Sequence, residues 1–381
     1  MLNKIKKIFL DKFGEEPSVF RSPGRVNLLG EHTDYNEGFV LPAAIDKYVY
    51  IAISRRKDDL IQLYAVDFDE SYSADNNNVQ PAPLQWPNYI LGVVDQLQKA
   101  GFNPGGFNAV VDGDIPIGAG LSSSAAVECA TVFALNEIFS LGLSRIQMVP
   151  LAQKAEHVFA GVNCGIMDQF ASMFGKQDHA IKLDCRSLDY EYIPLKLDGY
   201  KIVLFNTNIK HNLASSQYNM RRKQCEAGVA LIAAHHPEVK SLRDADEAML
   251  EKYVEPVDPL VYQRCKYVVQ ENIRLLNACE ALKMGDVKGL GAKMYETHHG
   301  LSYFYEVSCK ELDFLVEYVK KNPEVAGARM MGGGFGGCTI NLVKEEAVES
   351  LILNISEAYK SAIHITLTAY IASIGDGSSA C

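Results

Sequence analysis

Residues 116–139, PIGAGLSSSAAVECATVFALNEIF, join a glycine-rich turn to a long apolar helix, and any fold for this chain has to accommodate both. The strand-like run FNAVVD at 107–112 leads into the turn. Gly118 and Gly120 let the backbone approach a ligand closely, and the hydroxyls of Ser122, Ser123 and Ser124 follow at the helix start. Free N–H groups and the positive end of the helix dipole make such a place an anion site. A hydroxyl there can also ligate magnesium. No lysine follows, as it would in a Walker A motif, and the spacing is not that of GxGxxG. Taken alone, the segment reads as a phosphate cradle or as a glycine turn with a serine N-cap.

Two further segments concentrate chemistry. GRVNLLGEHTDYNEGFVLP at 24–42 gathers Arg25, Glu31, His32 and Asp34 between glycines, in a strand-to-turn context. Carboxylates accept paired hydrogen bonds from a polyhydroxylated ligand, and histidine can donate or accept. The same residues also describe a solvated polar turn. GARMMGGGFGGCTI at 327–340 carries five glycines in the six positions 332–337. Packing does not call for so many glycines; a backbone that reaches a ligand or turns with positive φ does.

The chain of 381 residues, 48% of them apolar, is long enough for two domains. Strand-like and helix-like patterns mix without a strict βαβ rhythm, which predicts an α+β fold. The spacing predicts helices at 87–101, 121–139, 147–160, 217–236, 259–284, 309–321 and 345–360. The strand and turn region 176–200 marks the division, giving domains 1–180 and 181–381. A formal net charge of -10 disfavours nucleic acid and anionic membrane surfaces. The one dense basic cluster, Arg221 to Lys223, reads as a solvated helix face. Nine cysteines lie scattered without a CxxC pair and read as reduced thiols. The start, MLNKIKKIFLDKF, is an amphipathic helix with Ile5, Ile8, Phe9 and Phe13 on one face, not a signal peptide. No run approaches the roughly 18 apolar residues of a membrane span. A cytoplasmic protein is expected, binding neither nucleic acid nor membrane.

With all three segments in this order, the chain resembles the GHMP kinase superfamily and, within it, the galactokinase family. CGIMDQFAS at 164–172, LDCRSL at 183–188, LASSQYNMRRKQCE at 213–226 and YEVSC at 305–309 extend the resemblance over nearly the whole length. It implies a ribosomal-S5-like N-terminal domain and a ferredoxin-like C-terminal domain, with the active site in the cleft between them. It implies transfer of the γ-phosphate of ATP to the anomeric hydroxyl of D-galactose, the first step of galactose catabolism by the Leloir pathway. The loop Gly118, Ala119, Gly120, Leu121, Ser122, Ser123 and Ser124 would wrap the phosphates. Ser124 and Glu156 would hold Mg²⁺, although the residues alone do not choose Glu156 over Glu128 on the apolar helix. Glu31, His32, Asp34, Gly165 and Tyr218 would hold the sugar. Asp168 would be the catalytic carboxylate, with Arg25 beside it. Gly332, Gly333 and Gly334 would close near the transferred group. The only partners implied are the sugar and ATP, and the expected state is a monomer.

Trp86 and Tyr89 are neighbours of the adenine in this reading, or simply core aromatics. Gln217 stands where a glutamate is common in the family, and Ser302, Tyr303 and Phe304 replace a frequent RDD. Met330 and Met331 read as core. The pairs His235–His236 and His298–His299 read as surface or helix-end residues, since neighbours on a helix point about 100° apart. A kinase for an acetylated sugar and a non-catalytic galactose sensor are the competing functions. The first is disfavoured by Thr33 and Asn36, the second by the intact serine loop and Asp168.

Overall fold

The computed structural model describes residues 1–116, 118–209 and 214–381, apart from the side chains of 214–216. Ile117 of the first glycine segment and Leu213 of the LASSQ segment lie outside the described residues. Among the described residues, the first sheet runs in the spatial order Ser379–Ala380, Ser18–Asn27, Pro42–Arg55, Phe107–Gly113, Leu60–Ala65, Glu70–Asp75. All neighbours are antiparallel except Leu60–Ala65 with Phe107–Gly113, whose connection carries the helix Gln85–Lys99. The edge pair is long-range: Phe20 faces Ala380, and the Ser22 and Ser378 hydroxyls lie 2.7 Å apart.

The apolar helix is Ser123–Phe139. It packs on the strands Ser18–Asn27 and Pro42–Arg55, and is covered by the helices Gln85–Lys99, Arg145–Ala155 and Met167–Phe174. A helix with neighbours on every side needs no polar face, which explains its even apolar character. Cys129, Val132, Ala134 and Leu135 are fully buried. Each large aliphatic buried here is worth roughly 1.5–3 kcal/mol. Its packing fixes the N-terminus, and so the serine loop, over the sheet.

The second sheet runs Val325–Met330, Cys338–Lys344, Tyr200–Asn206, Thr368–Ala372, antiparallel throughout, in the ferredoxin-like order. Its period-2 alternation serves two cores. Val203 and Phe205 face the helices Lys310–Val319 and Val348–Ile363. Ile202 and Leu204 face the other way, into a cluster with Val26, Leu28, Leu29 and Leu41. That shared cluster carries the contact between the two halves. A small third sheet is made of Phe39–Val40, His179–Asp184 and Tyr190–Pro194.

Several local readings need correction. Helix Val287–His299 was not expected, because Gly289 and Gly291 depress helix propensity. Gly291 is needed where this helix meets strand Val325–Met330: a Cβ there would lie 1.9 Å from the Ala326 carbonyl oxygen. Arg221 is buried, not solvated; it donates to the Tyr305 and Glu306 carbonyls. His298 is buried as well, accepting from the Met330 N–H at 3.2 Å with Asp313 on its other nitrogen. His299 remains exposed, and Met330 and Met331 are core.

Candidate active site

Strand Ser18–Asn27 carries Arg25 to the floor of a cleft, where the helix Met167–Phe174 presents Asp168. Arg25 grips that carboxylate with both prongs, Nε to Oδ1 at 2.7 Å and Nη2 to Oδ2 at 2.8 Å. Its third nitrogen, Nη1, donates to the Gly120 carbonyl at 2.7 Å. Burial opposes the charge on Arg25, but Asp168, Glu31 and Asp34 together outweigh it and raise its pKa. Such bidentate, charge-assisted pairs are the strong and directional ones. The Ser122 hydroxyl adds a further bond to Asp168 Oδ2.

The 28–39 segment is a knot tied by its own side chains. Gly30 has φ +94, and a Cβ there would meet the Phe39 carbonyl at 2.6 Å. Thr33 Oγ1 donates to the Gly30 carbonyl at 2.8 Å, and Asn36 to the His32 carbonyl at 2.8 Å. The long helix Pro259–Lys283 holds the knot from outside. Tyr267 donates to the Glu31 carbonyl at 3.1 Å, and Glu271 and Asn272 accept from the Gly30 and Phe39 N–H groups at 2.9 and 2.8 Å. The result aims Glu31, His32 and Asp34 at one cavity.

Each of these three has a distinct setting. Glu31 is buried and accepts from Gly332 N–H at 2.8 Å and from Arg329 at 3.1 Å. His32 lies edge-on to Tyr35 and tilted against Tyr218 and Tyr305, with Nδ1 2.8 Å from the Tyr35 hydroxyl. Burial lowers its pKa to about 4, so the ring is neutral at physiological pH. Asp34 is raised to about 7, first by burial and then by Asp168; a single 3.0 Å bond from the Tyr35 N–H offsets this.

A cavity of about 320 Å³ collects Arg25, Glu31, His32, Asp34, Glu156, Gly165, Asp168, Tyr218, Gly332, Gly333 and Gly334. A second, of about 270 Å³, lies between Trp86, Tyr89, Phe68, Ser123 and Ser124. The two meet where Ser124 Oγ donates to Glu156 Oε1 at 3.0 Å, since Ser124 lines one and Glu156 the other. Of the remaining loop residues, Ala119 and Leu121 turn their side chains into the core, leaving the backbone of the loop to face outward. Of the site residues expected from the sequence, Arg25, Glu31, His32, Asp34, Glu156, Gly165, Asp168, Tyr218 and Gly332 to Gly334 line the first cavity and Ser123 and Ser124 the second, whereas Gly118, Ala119, Gly120, Leu121 and Ser122 line neither.

Ser124 and Glu156 also answer whether a magnesium ion suits this place. Among the described residues, no three His, Cys, Asp or Glu side chains are arranged to hold a metal. One hydroxyl and one carboxylate are hard oxygen donors, and phosphate oxygens would complete the shell Mg²⁺ prefers. Burial and then Asp168 raise the Glu156 pKa, so this carboxylate gains from a nearby cation. The structure separates Glu156 from Glu128: Glu128 is fully buried behind it, and Gln169 Nε2 donates to both, at 2.8 and 3.0 Å.

Arg329 was missed in the sequence. Its guanidinium is fully buried and donates to the Leu28, Asn27 and Met330 carbonyls as well as to Glu31. A lone cation three positions before the glycine run that starts at Gly332 was the available signal.

Comparison with known proteins agrees with this geometry. Residues 7–55 match the galactokinase galactose-binding signature, 88–176 the GHMP kinases N terminal domain, and 278–361 the GHMP kinases C terminal family. The galactokinase of Thermosipho africanus is 42% identical over 361 residues, covering 94% of this chain and 98% of that one. That of Clostridium perfringens is 41% identical over 383 residues, covering 99% and 98%. The crystal structure of Lactococcus lactis galactokinase complexed with galactose superposes with a TM-score of 0.96 at 35% identity, covering both chains completely. A mevalonate kinase shares the fold at a TM-score of 0.65 and 20% identity. The chain belongs to the galactokinase family, within the GHMP kinases, and is an ATP-dependent sugar kinase.

Proposed function

We propose that the first cavity holds galactose, the second holds ATP, and the γ-phosphoryl group crosses to the anomeric hydroxyl where they meet. The observation that carries this reading is the meeting of the two cavities at Ser124 and Glu156, with Asp168 beside them in the sugar cavity. Phosphoryl transfer leaves little covalent work to a protein, so positioning and charge neutralisation dominate. In this reading Glu31, His32, Asp34, Tyr218 and the backbone of Gly165 hold sugar hydroxyls. Asp168 accepts a hydrogen bond from the anomeric hydroxyl and receives or directs its proton. Arg25 holds that carboxylate in a bidentate pair and adds positive charge near the reacting oxygens.

Residues 118–124 cradle the phosphates with backbone N–H groups and the helix N-terminus. Ser124 and Glu156 would hold Mg²⁺, which when bound neutralises charge on the phosphate oxygens. Gly332, Gly333 and Gly334 close over the transferred group, the backbone of Gly332 already pinned to Glu31. Trp86 and Tyr89 flank the base. The walls of the cleft come from units 1–180 and 181–381. The protein acts as a monomer in the cytosol, in line with its nine unpaired thiols. Its place is the first step of galactose catabolism.

ADP release with MgATP and a panel of sugars, beside Asp168→Asn, tests this. Turnover on galactose that the variant loses is the expected result. Galactose binding without ADP release from any sugar would overturn the kinase reading.

A further inference from the structure

Ser122 stands in a conformation that a serine does not choose for itself. It occupies the N-cap position of helix Ser123–Phe139 with φ 58 and ψ 49, the left-handed region that glycine tolerates and a Cβ disfavours. A serine at an N-cap ordinarily repays its place by accepting from a free helix N–H. Ser122 makes no such bond. Two local preferences are given up at one residue, and what the hydroxyl does instead is donate to Asp168 Oδ2.

The bond closes a ring. Arg25 Nη1 donates to the Gly120 carbonyl at 2.7 Å, and its backbone N–H to the Leu121 carbonyl at 3.1 Å. Arg25 Nε and Nη2 hold the two oxygens of Asp168, and Ser122 returns from Asp168 to the same loop. An ionised carboxylate offers about four lone-pair sites, two on each oxygen. Oδ2 takes Arg25 Nη2 and Ser122, and Oδ1 takes Arg25 Nε alone. The acceptor site that remains for a substrate hydroxyl is therefore on Oδ1.

We propose that Ser122 is a positioning residue: its hydroxyl fixes the rotation of the Asp168 carboxylate from the phosphate loop and directs the sugar hydroxyl to Oδ1. The inference rests on the reading that Asp168 meets that hydroxyl, and it assigns Ser122 to the carboxylate where the sequence assigned it to phosphate. Its logic is that of preorganisation, in which a group held in one orientation spares the reaction that reorganisation.

Ser122→Ala and Ser122→Gly, assayed for ADP release with KM measured for each substrate, test the proposal. Both are expected to lower kcat about 10- to 100-fold, as loss of a hydrogen bond to a charged group would. KM for galactose and for ATP should stay within about twofold. Glycine suits the left-handed position, so the thermal midpoint of Ser122→Gly should equal or exceed that of the parent. Recovery of kcat by glycine but not alanine would mean that only the backbone matters there, and the proposal fails. A rise in KM for ATP with kcat unchanged would make Ser122 a phosphate ligand, and the proposal fails too. Asp168→Asn in the same assay separates the two levels: turnover retained there overturns the reading of Asp168 itself.

Discussion

Gly165 and Asp34 are in contact through a surface that has no room for a methyl group: a Cβ on Gly165 would lie 1.7 Å from Asp34 Oδ2 and 2.0 Å from its Cγ. The glycine is what lets the loop after the π-helical turn Glu156–Ala160 lie against the sugar-side carboxylate. Gly165→Ala should turn Asp34 out of the cavity. We expect kcat/KM for galactose to fall about 10- to 100-fold, the scale of a misplacement near 1 Å. The KM for ATP should hardly change. Steady-state kinetics on the purified variant checks this; an unchanged kcat/KM would show that Asp34 can sit elsewhere without loss.

Asp34 also sets a pH dependence. Its folded pKa of about 7 lies above the ordinary carboxylate value, raised by burial and by Asp168 and Glu31, and opposed by the Tyr35 N–H and Arg25. A raised carboxyl stabilises the empty protein fully below the unfolded pKa near 4, and that contribution is lost as pH rises through about 7. A sugar hydroxyl donating to Asp34 favours the ionised form, so galactose should expel a proton near neutrality. Calorimetric titration at pH 7 in two buffers of different protonation heat should give different apparent enthalpies, and binding should tighten from pH 6 to 8. Asp34→Asn should remove the buffer difference. Identical heats in the parent protein would refute the linkage.

Arg329 predicts a stability effect out of proportion to one residue. It satisfies three carbonyls and Glu31 from a fully buried position. Removing one partner of a buried ion pair strands the other, at a cost of roughly 3–5 kcal/mol. Arg329→Met should lose about that much in urea unfolding. Lysine has no planar fork and should recover little of it. A lysine variant within about 1 kcal/mol of the parent would mean the fork geometry is not needed.

Trp86 is the only tryptophan in the chain and lines the cavity beside Ser123 and Ser124, its indole N–H 2.8 Å from Glu70 Oε2. Its emission should change on adding ATP and stay nearly constant on adding galactose. Trp86→Phe should raise the KM for ATP several-fold through lost aromatic contact while leaving that for galactose alone. A signal that follows galactose instead would place the two ligands the other way round.

The parts of this molecule that could be read from its residues are those where local chemistry and tertiary need agree. The serine loop is one in part: its glycines and the apolar run after them announce a tight turn opening a buried helix, while the part the hydroxyls play was left open. The 24–42 knot is another in composition, though nothing in it announces that Tyr267, Glu271 and Asn272 would hold it from a helix more than 200 positions away. Helix Val287–His299 was hidden because Gly291 answers to a strand, not to its own helix. Arg221 looked solvated because charge in sequence says nothing of the carbonyls it will meet. Which of Glu128 and Glu156 would reach Ser124 was not legible, since that contact is a matter of two helices and a π turn. Side chains that act through one another leave no periodic trace.

The pairing of Ser379–Ala380 with Ser18–Asn27 also bears on how the protein is made. The Ser22 and Ser378 hydroxyls that touch are 356 positions apart. At about 5–20 residues per second, a ribosome emits Ser378 tens of seconds after Ser22. Through that interval the strand that carries Arg25 has an open edge, and open edges invite pairing with other chains. The nascent protein therefore exposes one edge of the strand that carries Arg25 until Ser379–Ala380 has been made and has closed it.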